Sequence, residues 1–193
     1  MAKASHTLQK GAVVQHTAKA HNLKGQLPEG SMESLATTIR FVTLNCQTLS
    51  SELQQAALSR LLRYLCVPFA ALQETRMRYR PVISIENYII YCGDADENKV
   101  GGCAIAVRND YKNLVEEFGS TLSRCAFLRL RDRRGRRIRI ASAHAPTKTA
   151  EDNSKDAFYD ELNSLMSKIP SQQVVIVGID AMRRWDWNSN PMC

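Results

Sequence analysis

The sequence predicts an α/β fold, and three observations carry that prediction. Short β-rich apolar runs alternate with two amphipathic segments of helical period. One neighbouring pair of runs alternates with period two around a turn. Val174-Val175-Ile176-Val177-Gly178-Ile179 is the strongest strand signal in the chain. Strands interleaved with helices give an α/β or mixed α+β architecture.

Residues 1–37 are polar, rich in Lys, Gln and His, and without sustained apolar periodicity. They read as a flexible leader, with Pro28-Glu29-Gly30-Ser31 as a turn. The folded part is expected to begin at Thr38. Ile39 to Leu44 is a first strand. Ser51 with Gln54 resembles a capping box, and Leu53, Ala57, Leu58, Leu61, Leu62 and Leu65 then mark one face of a helix. Val67 to Leu72 fits a buried strand. Tyr88–Tyr91 and Cys103–Val107 read as two strands around a polar loop.

Phe127–Arg131 and Arg137–Ile140 alternate with period two around Asp132-Arg133-Arg134-Gly135, which predicts a hairpin with one wet face. A second amphipathic helix carries Phe158, Leu162, Leu165, Met166 and Ile169 on one side and stops before Pro170. Val174–Ile179 closes the series, and no internal repeat is present.

The composition narrows the function classes. The 193 residues suffice for one domain and a tail, with an ordinary 44% hydrophobic and 23% charged content. A formal net charge of +7 suits a polyanionic partner without specifying one. The six cysteines form no C-x-x-C pair and sit mostly in apolar runs, which suits reduced thiols in an intracellular compartment, the nucleus included. No apolar stretch approaches the roughly 18–20 residues that span a membrane, and no secretory signal opens the chain.

Four of the apolar runs end on polar residues of chemical interest. Ile39–Leu44 runs into Asn45, Val67–Leu72, after Gln73, into Glu74, Ile138–Ala143 into His144, and Val174–Ile179 into Asp180. Each ending alone is what a turn or cap would supply. Together they raise a second reading, because layered α/β proteins bind ligands beyond the carboxyl ends of strands. Two carboxylates, an amide and an imidazole would suit a hard divalent cation and phosphate chemistry.

Those residues lie inside recognisable wording. Thr43-Leu44-Asn45-Cys46, Leu72-Gln73-Glu74-Thr75, Gly101-Gly102-Cys103-Ala104-Ile105, Ser142-Ala143-His144-Ala145-Pro146-Thr147 and Val177-Gly178-Ile179-Asp180-Ala181 follow one another in that order. They resemble the ordered motifs of the endonuclease/exonuclease/phosphatase superfamily. Ser-Ala-His-Ala-Pro-Thr and Gly-Ile-Asp-Ala are most similar to the endonuclease domains of RTE-type non-LTR retrotransposons. The resemblance spans about Thr38 to Met182. It implies a four-layer α/β sandwich over residues 38–182 and a phosphodiesterase that nicks DNA with Mg2+ or Mn2+. By the same resemblance Glu74 is the direct metal ligand with Asn45 beside it. Asp180 positions and activates the attacking water, and His144 stands where the superfamily more often has a Tyr that donates to the scissile phosphate.

Several positions depart from the pattern. Gln47 replaces an acidic residue, Thr147 an Asn, and Met182 the Asn of a D-x-N motif, whose hydrogen bond a thioether does not supply. Residues 183–193 form a divergent tail with Trp185 and Trp187. The superfamily's later strands, a further Asp and a Ser-Asp-His-type motif do not follow. The expectation is therefore a domain incomplete at its C-terminus and a chain weak or inactive by itself. The alternative is a non-catalytic remnant that binds nucleic acid or protein.

Two further features bear on ligands. Arg129, Arg131, Arg137 and Arg139 would grip phosphates on the predicted hairpin, or form no more than a solvated strand face. Asp94-Ala95-Asp96-Glu97-Asn98 invites a calcium-loop reading, but Lys99 and Ile105 stand where Gly and Glu are needed.

Overall fold

The computed structural model describes residues 14–18, 39–78, 81–95, 101–121, 124–132, 134–170 and 173–180. Met182, the tail and the Asp96–Asn98 part of the acidic loop lie outside these residues. In chain order the elements are β1 (Val14–Ala18), β2 (Ile39–Asn45), α1 (Glu52–Tyr64), β3 (Phe69–Gln73), β4 (Val82–Ile85) and β5 (Tyr88–Cys92). There follow β6 (Ala104–Arg108), a 3-10 turn at Asn109–Leu114, β7 (Val115–Thr121), β8 (Cys125–Arg131), β9 (Arg137–His144), α2 (Asp152–Ser167) and β10 (Val174–Asp180).

The strands form two sheets. One is six-stranded in the order β1-β2-β3-β6-β5-β4, and the other four-stranded in the order β10-β9-β8-β7. Each sheet contains one parallel pair built as strand, helix, strand: β2 and β3 joined through α1, and β9 and β10 joined through α2. All other pairings are antiparallel.

Side-chain alternation along the strands assigns the layers. Phe41, Phe69, Ala71, Ile105 and Val107 of the first sheet meet Leu128, Leu130, Ile138, Ile140 and Ile176 of the second. The opposite face of the first sheet, with Val42, Ala70, Leu72, Ala104 and Ala106, packs on Leu58 and Leu62 of α1. Cys125 and Ala143 of the second sheet, with Ala145 just beyond β9, pack on Phe158 of α2. The order helix, sheet, sheet, helix is the expected four-layer sandwich.

Most local expectations are met. Ser51 caps α1 with the reciprocal box, its hydroxyl accepting from the Gln54 backbone while the Gln54 side chain accepts from the Ser51 backbone. This satisfies two N–H groups that a helix start otherwise leaves unpaired. Leu53 departs from expectation. It is 74% exposed, because the packed face of α1 runs through Gln55, Leu58, Ser59 and Leu62.

The reading of residues 1–37 as a leader without regular structure also needs correction at one point. Val14–Ala18 is a strand paired antiparallel with Ile39–Thr43, at the edge of the first sheet. Backbone pairing along an exposed strand edge needs no apolar pattern, so periodicity gave no sign of it.

Candidate functional site

The four polar endings converge. Both parallel pairs point their carboxyl ends the same way, and their last residues are register partners: Asn45 opposite Gln73, and His144 opposite Asp180. Along β2, residues 41, 43 and 45 share one face; along β9, residues 138 to 144 in steps of two; along β10, residues 176, 178 and 180. These are the faces between the sheets, so Asn45, His144 and Asp180 are the final inward positions of their strands.

Glu74 arrives differently. An unbroken strand would turn its side chain with Ala70 and Leu72 toward α1. Instead β3 ends at Gln73, and Glu74 takes a left-handed backbone with φ of +52°. A non-glycine residue in that conformation is strained by about 1–3 kcal/mol. The strain brings its carboxylate to the cluster.

The neighbouring Gly-Gly pair supports this turn. Gly101 and Gly102 have φ of +74° and +84°, and their carbonyls accept from the Arg76 and Thr75 backbone N–H groups. A Cβ on Gly102 would come within 2.7 Å of the Thr75 hydroxyl. Only glycine suits both the conformation and the close approach.

Within the cluster, the Asn45 amide nitrogen donates to Glu74 Oε1 and to Asp180 Oδ2, each at 2.7 Å. Asn45 Oδ1 accepts from the Gln47 backbone N–H at 2.9 Å, so the amide orientation is fixed from both ends. His144 Nε2 lies 3.4 Å from Glu74 Oε1. One ligand atom each of Glu74, His144 and Asp180 falls within 4.8 Å of the others. All three residues are half-buried, open to solvent on one side.

Burial holds the His144 imidazole below its ordinary range, and the Arg124 guanidinium pushes the same way. The Glu74 and Asp180 carboxylates oppose them without prevailing. The ring is therefore neutral at pH 7. Its Nδ1 is buried without a hydrogen-bond partner among the described residues, so the proton belongs on Nε2, facing the cluster. Burial also pushes the Cys46 thiol up to about 12, which makes it an inert neighbour rather than a thiolate ligand.

Two cations at the site carry no sequence motif of their own in the reading above. Arg76 Nη2 lies 3.6 Å from Glu74 Oε2, and Arg124 Nη1 donates to the His144 carbonyl at 3.4 Å. The hairpin arginines, in contrast, are not brought to the cluster. Arg137 opens β9 and His144 closes it, a separation of about 23 Å at roughly 3.3 Å per residue. Arg131 is opposite Arg137 and ion-paired with Glu116. Arg129 is paired with Glu116 and Glu117 at 3.3 and 2.8 Å, and Arg139 lies over the Phe127 ring.

Gln73, to which the sequence reading assigns no role, is fully buried and hydrogen-bonded to three other strands. A polar residue at the end of an otherwise apolar central strand is the one sequence signal that could have found it.

No protein-family model matches the chain, and no curated protein does. Solved structures do. The catalytic domain of Xenopus laevis APE2 superposes with a TM-score of 0.59 at 15% identity, covering 74% of this chain and 58% of that one. The endonuclease domain of TRAS1, a telomere-specific non-LTR retrotransposon, gives 0.53 at 17% identity, covering 76% and 61%. A humanized D. rerio TDP2 gives 0.53 at 13% identity, covering 76% and 63%. The chain thus spans about three-fifths of the length of each. Likeness at these identities is a likeness of fold, and by it the chain has the α/β-sandwich fold of the endonuclease/exonuclease/phosphatase proteins.

Proposed function

We propose that this chain is a retroelement-derived phosphodiesterase domain of the endonuclease type, dependent on a divalent metal and acting on DNA in an intracellular compartment. The observation that carries the reading is the convergence of Glu74, His144 and Asp180 within 4.8 Å, with the Asn45 amide between the two carboxylates. Four strand ends from two sheets meet there, at the carboxyl ends where layered α/β proteins bind ligands.

The donor set fits Mg2+ or Mn2+. Carboxylate oxygens are the hard ligands that such ions take. Glu74 would hold the ion, with Asn45 at its edge. A cation bound there would neutralise charge developing on a phosphoryl group and make water a better nucleophile.

The protein's own groups supply the rest. Asp180 accepts a proton from the attacking water. Asn45 fixes the carboxylate orientation by its hydrogen bond. His144 presents Nε2–H as a neutral donor to a phosphoryl oxygen, in the place of a tyrosine hydroxyl. General base catalysis of this kind is worth about 10²–10⁴ in rate.

A second reading, a non-catalytic nucleic-acid-binding domain, is favoured by Gln47 and Met182. They leave the site one acidic group and one amide short of the motifs it resembles. One assay separates the two: supercoiled-plasmid nicking in Mg2+, Mn2+ or EDTA, beside Asp180→Ala. Metal-dependent nicking that disappears in the variant supports the enzyme. Binding of DNA with no nicking in either metal supports the second reading and removes the first.

A further inference from the structure

One buried side chain touches every strand that contributes to the site. Gln73 lies on the inter-sheet face of β3, and it is fully buried. Its Nε2 donates to Ser142 Oγ on β9 at 3.0 Å and to the Gly178 carbonyl on β10 at 3.3 Å. Its Oε1 accepts from Thr43 Oγ1 on β2 at 3.2 Å. Ser142 Oγ in turn donates to the Leu72 carbonyl at 2.9 Å, closing the network back onto β3.

The spacing relates this network to the cluster above it. Thr43, Ser142 and Gly178 each lie two residues before Asn45, His144 and Asp180 on the same face of the same strands, and Gln73 directly precedes Glu74. The network is thus a layer beneath the cluster, at a point where the sheets nearly touch. A Cβ on Gly178 would meet the Ala71 Cβ at 2.4 Å and Thr43 Oγ1 at 3.0 Å.

Packing alone does not account for the carboxamide. The surrounding layer, with Phe41, Phe69, Ala71, Ile105, Ile140 and Ile176, is otherwise apolar, and an apolar residue of similar volume would fill the space without desolvating an amide. A directional group adds register. Its three bonds hold β3 at one offset relative to β2, β9 and β10, and so determine how closely Glu74 approaches Asn45, His144 and Asp180.

We propose that Gln73 is the positioning residue of the site, setting the spacing of Glu74 and Asp180 through its hydrogen bonds to Thr43, Ser142 and the Gly178 carbonyl. The inference rests on the metal-site reading given above. Partners one layer behind metal ligands typically change metal affinity by about 10- to 100-fold when removed.

The test is Mn2+ binding by electron paramagnetic resonance, on the full chain, at a temperature well below each variant's unfolding midpoint. Gln73→Met keeps the volume and removes all three bonds; it is expected to bind Mn2+ at least about tenfold more weakly while remaining folded. Thr43→Val and Thr43→Ser form a second pair, should Gln73→Met fail to fold. The valine variant is expected to weaken binding and the serine variant, which keeps the hydroxyl, to retain it. A purely structural role would not separate those two. Mn2+ affinity within twofold of wild type in Gln73→Met, or equal affinity in the two Thr43 variants, overturns the positioning role alone. Wild-type chain that takes up no Mn2+ overturns the metal-site reading, and the positioning role with it.

Discussion

Asn45 and Asp180 are separated by 135 residues in sequence and joined by a 2.7 Å hydrogen bond from the amide to the carboxylate. The same amide nitrogen reaches Glu74. It therefore stands between two negative groups and donates a hydrogen bond to each. Asn45→Ala removes that donor and leaves the carboxylates facing each other. In EDTA the variant should lose about 1–3 kcal/mol of stability, measured by urea unfolding. Saturating Mg2+ should restore part of the loss, since a ligand that binds only the folded state stabilises it by mass action. Unchanged stability in EDTA would show that the amide does not serve this purpose.

How much of this was legible beforehand follows from the kind of interaction involved. The capping box at Ser51 and Gln54, the hairpin of β8 and β9, and β10 depend on neighbours in sequence, and each was readable. Asn45, Glu74, His144 and Asp180 stand out in the sequence as polar strand endings and take their roles from resemblance, but their convergence needed the register of two parallel pairs. The strand at Val14–Ala18 escaped because residues 1–37 carry no sustained apolar periodicity, and backbone pairing at a sheet edge does not require one. β4 and β7 also went unread, for their burial is irregular and no clean alternation marks them. Gln73 was hidden by its own neighbours: its partners lie 30, 69 and 105 residues away.

The His144 ring gives a pH dependence with a definite sign. Burial depresses its pKa from the ordinary 6.5, so the unfolded chain binds the proton more readily than the folded one. Its contribution to stability is complete above pH 6.5 and is lost as pH falls through that value toward the folded one. Urea midpoints at pH 7.5 and 5.5 should therefore fall less in His144→Gln than in wild type. An equal fall in both proteins would assign the acid sensitivity to other groups.

The hairpin arginines make a separate prediction. Arg129 and Arg131 are already paired with Glu116 and Glu117, and they lie toward the end of the sheet away from the cluster. Phosphate contacts by both would contribute about two units to the salt dependence of DNA binding, at roughly 0.9 per contact. Arg129→Gln with Arg131→Gln is expected to leave that slope unchanged and to cost little stability, as for other solvent-exposed ion pairs. Fluorescence anisotropy across a salt series measures the slope. A decrease near two would return these residues to the nucleic-acid interface.

The closest approach of the two sheets tests the architecture on which the site depends. Gly178 is buried on β10, and an added Cβ would stand 2.4 Å from the Ala71 Cβ and 3.0 Å from Phe41 Cζ. The obstacle at Ala71 is anchored to a central strand rather than to the end of a flexible side chain, so it yields only if the sheets move apart. Gly178→Ala should therefore destabilise the fold by about 1–3 kcal/mol, the ordinary cost of overpacking. Ala71→Gly on its own should also destabilise, by opening a gap and loosening a central strand. Because the two methyl groups compete for one space, the double variant should be more stable than the sum of the single losses allows. A double-variant cycle in urea measures this coupling, and a coupling energy near zero would mean that the sheets are not in contact at this point.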